Sequence, residues 1–144
     1  MITLNELTWQ HVDGFNRRAI AESLRKNTGS TASNVLTKAS ELKSCLGGIF
    51  YQAQQGYLHL PIEKMAGLLL YRIAEGQFFL DGNKRTALLA CYFFLHDNGL
   101  SLRTEEDEVN DLMWGFAKDH ATGIAKYNQT DAIQFIFENV LPRI

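Results

Sequence analysis

Gly76-Gln77-Phe78-Phe79-Leu80-Asp81-Gly82-Asn83-Lys84-Arg85-Thr86 leads directly into Ala87-Leu88-Leu89-Ala90-Cys91-Tyr92-Phe93-Phe94-Leu95, and Asn98-Gly99 closes the run. Residues 83–97 are apolar on nearly every side, the pattern of a helix surrounded by others. Asp81-Gly82-Asn83 reads as a tight turn opening into that helix, and Asn98-Gly99 as its stop. Upstream, Ile62, Met65, Ala66, Leu69, Leu70 and Ile73 recur at helical spacing and define one face of a preceding helix. Pro61 suits its first position and Gly76 its end. Downstream, Val109, Leu112, Met113, Phe116 and Ala117 form a second stripe, entered through the acidic residues 105–108 that suit the positive end of a helix. A third stripe is Ile133, Ile136, Phe137, Val140 and Leu141, with Thr130 and Asp131 as capping candidates and Pro142 beyond. Residues 12–26 and 33–46 carry weaker helical patterns around a polar loop. Residues 47–60 differ: Gly47-Gly48, alternating aromatics and Gly56 predict an extended loop or small hairpin. The expected architecture is all-α, a helical bundle around a central apolar helix with one short extended flap ahead of Pro61.

The chain has 144 residues, 46% of them hydrophobic and 21% charged, which excludes a disordered or low-complexity chain and fits one domain over residues 1–144. Fourteen Lys and Arg against sixteen Asp and Glu give a net charge of −2, so no overall basic field exists to hold a polyanion. Cys45 and Cys91 have neither the number nor the spacing of a zinc or disulfide framework. The first residues lack a basic start and apolar stretch, and the longest apolar run, residues 87–95, is about half of a bilayer span. The expectation is a cytoplasmic protein with neither nucleic acid nor membrane as partner.

The turn at 81–86 carries the chemistry. At the start of a helix the backbone N–H groups of Gly82, Asn83 and Lys84 have no intrahelical acceptors and sit at its positive end, which makes an anion pocket. Arg85 can fork onto phosphate oxygens, and Asp81 is an oxygen ligand for the Mg²⁺ that a polyphosphate brings. The same residues also read as ordinary turn chemistry, with Asp81 as a cap and Lys84 and Arg85 as solvated surface. Two cations in a first turn oppose the helix dipole, a small cost that an arriving anion offsets. On the turn alone both readings stand.

The segment resembles the signature of the Fic/Doc family, His-x-Phe-x-(Asp/Glu)-Gly-Asn-(Gly/Lys)-Arg followed by Thr or Ser. Phe79, Asp81, Gly82, Asn83, Lys84, Arg85 and Thr86 match position by position. The apolar helix before it, the central helix after it and the acidic helix beyond resemble the short Doc-like branch, most specifically over residues 45–118. The resemblance implies a helical Fido fold that binds ATP and Mg²⁺ and modifies a hydroxyl side chain of a target protein. Most members transfer AMP; Doc itself is a kinase and carries Ala at the position of Gly82, so Gly82 leans toward AMP transfer. Carried over, Asp81 holds the metal, Gly82, Asn83 and Lys84 form the anion hole, Arg85 clamps phosphate, and Phe79 anchors the loop. The flap would hold the target segment by strand-like pairing, with Tyr51, Tyr57 and His59 as its candidate contacts.

One position departs. Where the family has its catalytic histidine, this chain has Gln77. A glutamine amide can orient a hydroxyl by hydrogen bonding but has no titratable group near pH 7, and loss of a positioned general base typically costs ~10²–10⁴-fold in rate. A natural pseudoenzyme, an enzyme with a relocated base and an inactivated variant of a toxin all fit this substitution. His59 in the flap is the candidate replacement base. His96 and Asp97 read as a pair at a helix end, and His11 and His120 as exposed. Trp9, Trp114, Phe135 and Phe137 lie on or near helical stripes and are expected in the core rather than as a nucleobase platform. Residues 37–41 and Glu138-Asn139 come nearest the family's self-inhibitory motif, and neither is intact. In an active member that would point to an antitoxin on another chain as partner.

Overall fold

The computed structural model describes residues 4–27, 29–54 and 61–143. These residues build helices α1 (Trp9–Lys26), α2 (Ala39–Gln54), α3 (Ile62–Gly76), α4 (Asn83–Asp97), α5 (Glu106–Trp114) and α6 (Gln129–Asn139). Two short strands, β1 (Leu100–Leu102) and β2 (Val140–Pro142), pair antiparallel with Ser101 opposite Leu141. No helix among the described residues is long and apolar enough to cross a membrane.

The core is built where α3 and α4 cross. α4 buries Ala87, Ala90, Cys91, Phe94 and Leu95 and packs against α3, α1 and β1, the central place its composition predicts. It is not wholly surrounded, since Tyr92 faces solvent. α3 lies against α2, α4 and α6 and buries Leu68 as well as Met65, Ala66, Leu69, Leu70 and Ile73 of its predicted stripe, with Ile62 half-buried. Gly67 is the reason α6 can cover that extra side: a Cβ there would stand 2.6 Å from the backbone Cα of Ile133.

The helix ends follow local hydrogen bonding. Thr8 and His11 form a reciprocal capping box on α1, the Thr8 N–H donating to His11 Nδ1 and the His11 N–H to Thr8 Oγ1. On α6 the cap is Asn128, with Asp131 as its box partner, so the expected Thr130 cap is displaced by two residues. Pro61 stands at the N-cap of α3, one residue ahead of the expected first helical position.

Several expectations are corrected. The stretch expected to be extended from residue 47 is helical to Gln54, because Leu42, Leu46, Ile49 and Phe50 keep one buried face across Gly47-Gly48. Each of those glycines costs a helix only about 1 kcal/mol, less than burying Ile49 or Phe50 contributes. Tyr51 therefore sits on α2 and is exposed, while Tyr57 and His59 lie outside the described residues. The helix expected over 33–46 starts only at Ala39; residues before it run extended, with Leu36 bridged to Phe79. Val140 and Leu141, expected on the last helix, form β2 instead. Ala117 falls beyond α5 and is exposed. Phe137 and Trp114 were expected in the core, yet they are 43% and 68% exposed, whereas Trp9 and Phe135 do pack against it.

The Gly67 crossing makes a stability prediction. Gly67→Ala should lower stability by about 1–3 kcal/mol, because α3 and α6 must separate to admit the methyl. Gly14→Ala in α1, where nothing lies within 4 Å, should raise it by about 0.5–1 kcal/mol through helix propensity. Thermal denaturation of the two variants reads both signs.

Candidate functional site

The loop joining α3 to α4 is bounded by two left-handed residues, Gln77 (φ 51°) and Gly82 (φ 76°). Asn83 closes it from inside. Its buried side chain accepts from the Phe79 N–H through Oδ1 (3.0 Å) and donates from Nδ2 to Phe79 O (2.8 Å) and Gln77 Oε1 (3.4 Å). The Phe79 side chain is buried in the core. The loop's outer edge pairs with the strand-like segment ahead of α2: the Leu80 N–H donates to Val35 O, and the Thr37 and Lys38 N–H groups to Phe78 O.

A second set of bonds holds Asp81-Gly82. Fully buried Asn16 on α1 donates to Asp81 O (2.8 Å) and Thr86 Oγ1 (3.0 Å), and accepts from Asn34 Nδ2 (2.7 Å). The Thr86 hydroxyl donates to Gly82 O at 2.7 Å. Gly82 meets α1 closely, since a Cβ would stand 3.2 Å from Ile20 Cδ1, so both its φ and its surroundings call for glycine. Among the described residues no buried side-chain nitrogen or oxygen lacks a partner.

α4 starts where the sequence predicts, at Asn83, and no side chain among the described residues caps it. Its first-turn N–H groups are left for a ligand or water. Asp81, Gly82 and Arg85 line a cleft of about 480 Å³ whose other wall is α1, with Glu22 and Lys26. Arg85 reaches two carboxylates, Glu22 Oε1 at 3.3 Å and Glu106 Oε1 at 3.4 Å. Both distances exceed the 2.7–2.9 Å of a strong charge-assisted bond, and half-exposed pairs of this kind contribute roughly 0–1 kcal/mol. An incoming phosphate can displace them at small cost. Glu22 is held below the usual carboxylate range first by its bond to Lys26 and then by Arg85.

Asp81 Oδ2 accepts from the Ser33 N–H at 3.1 Å. Among the described residues no cluster of three or more His, Cys, Asp or Glu could hold a metal by itself. A single carboxylate beside an uncapped helix start is compatible with Mg²⁺, which usually keeps its waters and binds through one or two carboxylates plus phosphate oxygens.

The remaining motif residues flank that cleft without lining it. Lys84 Nζ lies 4.5 Å from the centre of the Trp114 ring. Gln77 is exposed, and its amide folds back on the loop, donating to Ala74 O at 3.0 Å. Near it, Glu75 is raised above the usual carboxylate range by partial burial, against the pull of Lys84 and Lys118. His96 pairs loosely with Asp97 (3.8 Å) at the far end of α4. Burial pushes the Cys45 and Cys91 thiols up to about 11 and about 12, so neither is a nucleophile at neutral pH.

Sequence reading missed Asn16, Asn34, Ser33, Glu22 and Lys26. Asn16 alone left a local signal: it falls on the buried stripe Val12, Asn16, Ala19, Ile20 of α1, where an amide must find partners.

Comparison with known proteins bears on the same segment. Residues 2–95, well over half of the chain, match the Fic/DOC family. Toxin Doc of Mycolicibacterium smegmatis (strain ATCC 700084 / mc(2)155) is 44% identical over 50 residues, covering 33% of this chain and 38% of that protein. The match thus spans well under half the length of that curated relative.

The buried amide network is open to test. Asn16→Ala and Thr86→Val should each lower unfolding free energy by about 1–3 kcal/mol in urea, since each leaves buried polar groups unpaired. The double variant should cost less than the sum, because the two residues share a bond.

Proposed function

The chain belongs to the Fic/DOC family, and on that premise we propose that the α3–α4 loop seats the phosphates of ATP with Mg²⁺. The observation that carries this reading is the uncapped start of α4 opening, through Gly82, on the cleft that Asp81 and Arg85 also line. In it, the N–H groups of Gly82, Asn83 and Lys84 hold phosphate oxygens, Arg85 exchanges its two loose carboxylates for a phosphate, and Asp81 offers its carboxylate to Mg²⁺. The metal, when bound, supplies charge neutralisation for phosphoryl chemistry.

The family activity is transfer of AMP, or in Doc of phosphate, to a hydroxyl of a target protein. We assign Gln77 the place where the attacking hydroxyl would be met. Its amide is tied to Ala74 O and to Asn83, and it has no proton-accepting group near neutral pH. Binding without efficient transfer follows. The likeness to a protein named Toxin Doc supports descent from a toxin whose partners are a target protein and an antitoxin on another chain.

Calorimetric titration with Mg·ATP should show binding to the native chain. Arg85→Ala should weaken it by about 10- to 100-fold, the worth of a charge-assisted bond pair; unchanged affinity would mean that the phosphate seat is misplaced. Labelled ATP in a lysate of the source cells should label proteins about 10²–10⁴-fold faster with Gln77→His than with the native chain. Label carried from the α-phosphate marks AMP transfer, and label carried only from the γ-phosphate marks phosphate transfer. Equal rates for the two chains would refute the role given to Gln77.

A further inference from the structure

Trp114 has the exposure of a residue that packing does not need. α5 buries Val109, Leu112 and Met113, and the chain beyond it buries Phe116, all without the indole, which is 68% exposed. The backbone around it is nevertheless fixed. Gly115 lies where any Cβ would collide with the Tyr127 ring, the Tyr127 N–H donates to Gly115 O, and Phe116 meets Tyr71 edge to face at 4.9 Å. A large aromatic held out into solvent on an anchored backbone is a platform with little ordering entropy left to lose.

What fits that platform is set by Lys84. This residue belongs to the first turn of α4, and its ammonium stands 4.5 Å over the Trp114 ring. The indole is therefore one lysine side chain away from the uncapped N–H groups of α4, with one face engaged by a cation and most of its surface in water. A nucleoside triphosphate carries its base one ribose away from its phosphates.

Building on the phosphate seat proposed above, we propose that Trp114 is the base-stacking residue of this chain. The base lies on the ring surface that Lys84 leaves open, and Lys84 stays between indole and phosphates, neutralising charge while holding the ring. The occupant is a planar nucleobase joined to a polyphosphate, and the stacking is tolerant of base identity because every base offers a π-face.

The test uses two ligands and the full chain: Mg·ATP and Mg·tripolyphosphate, which has the phosphates and no base. Native protein should bind ATP more tightly than tripolyphosphate. Trp114→Ala should weaken ATP by about 5- to 150-fold, the measured range for loss of one base–aromatic stack, and leave tripolyphosphate unchanged. Trp114→Phe should recover most of the loss. Since the indole is exposed, the Ala variant should keep the native melting temperature. ATP affinity unchanged in Trp114→Ala, or tripolyphosphate weakened equally, would overturn the stacking role while leaving the phosphate seat intact. A native chain that binds neither ligand would overturn the seat and the stacking role together.

Discussion

Everything that makes the α3–α4 loop a candidate site depends on one buried amide. Without Asn16 the carbonyl of Asp81 and the hydroxyl of Thr86 would lack their shared donor under α1. Gly82, held at φ 76°, lines the cleft, and α4 starts there without a side-chain cap. A left-handed N-cap is not what an isolated sequence would choose, since residues before a helix usually adopt extended angles and cap with their own side chains. Here tertiary hydrogen bonds fix the backbone and the cap is left out.

An anion seat of the kind proposed does not need a basic chain. Net charge governs long-range attraction, but a helix start, a guanidinium and a lysine within a cleft act over a few ångströms, inside the screening length of about 8–10 Å. The neighbouring carboxylates Glu22 and Glu106 hold Arg85 in place from two sides at loose distances. At those distances the pairs are weak, and on the proposed reading a phosphate would replace them.

How much of this was legible in the sequence divides along a physical line. The bounds of α4 could be read because Asp81-Gly82 and Asn98-Gly99 act locally, through glycine at positive φ and short polar side chains. The span of α3 followed from its stripe and from Pro61, but its enclosure did not, because a glycine that admits a neighbouring backbone looks like any other glycine. α2 was misread since Gly47-Gly48 is weighed as a breaker until the buried positions on either side are known. Trp114 sits off the stripe Val109, Leu112, Met113, Phe116, and its spacing alone, against the weight given to its apolar side chain, signalled exposure. Glu22, Lys26 and Asn34 could not be assigned to the site from the sequence. Glu22 and Lys26 meet the motif only through the packing of α1 on the loop, and Asn34 acts on it only through Asn16.

The geometry also separates holding a ligand from reacting it. The loop is closed by Asn83 through the backbone of Phe79, at 3.0 and 2.8 Å, and by Asn16 through the backbone of Asp81. The contact of Asn83 with the side chain of Gln77 is the longest of its three bonds, at 3.4 Å. The residue at position 77 contributes its left-handed backbone turn, and its side chain adds a bond to Ala74 O at 3.0 Å. Exchanging an imidazole for an amide there leaves the N–H groups, the guanidinium and the carboxylate where they are. On the proposed reading, affinity for phosphate would rest on the helix start and Arg85, and the rate of any transfer on the residue at position 77, so the two would vary separately.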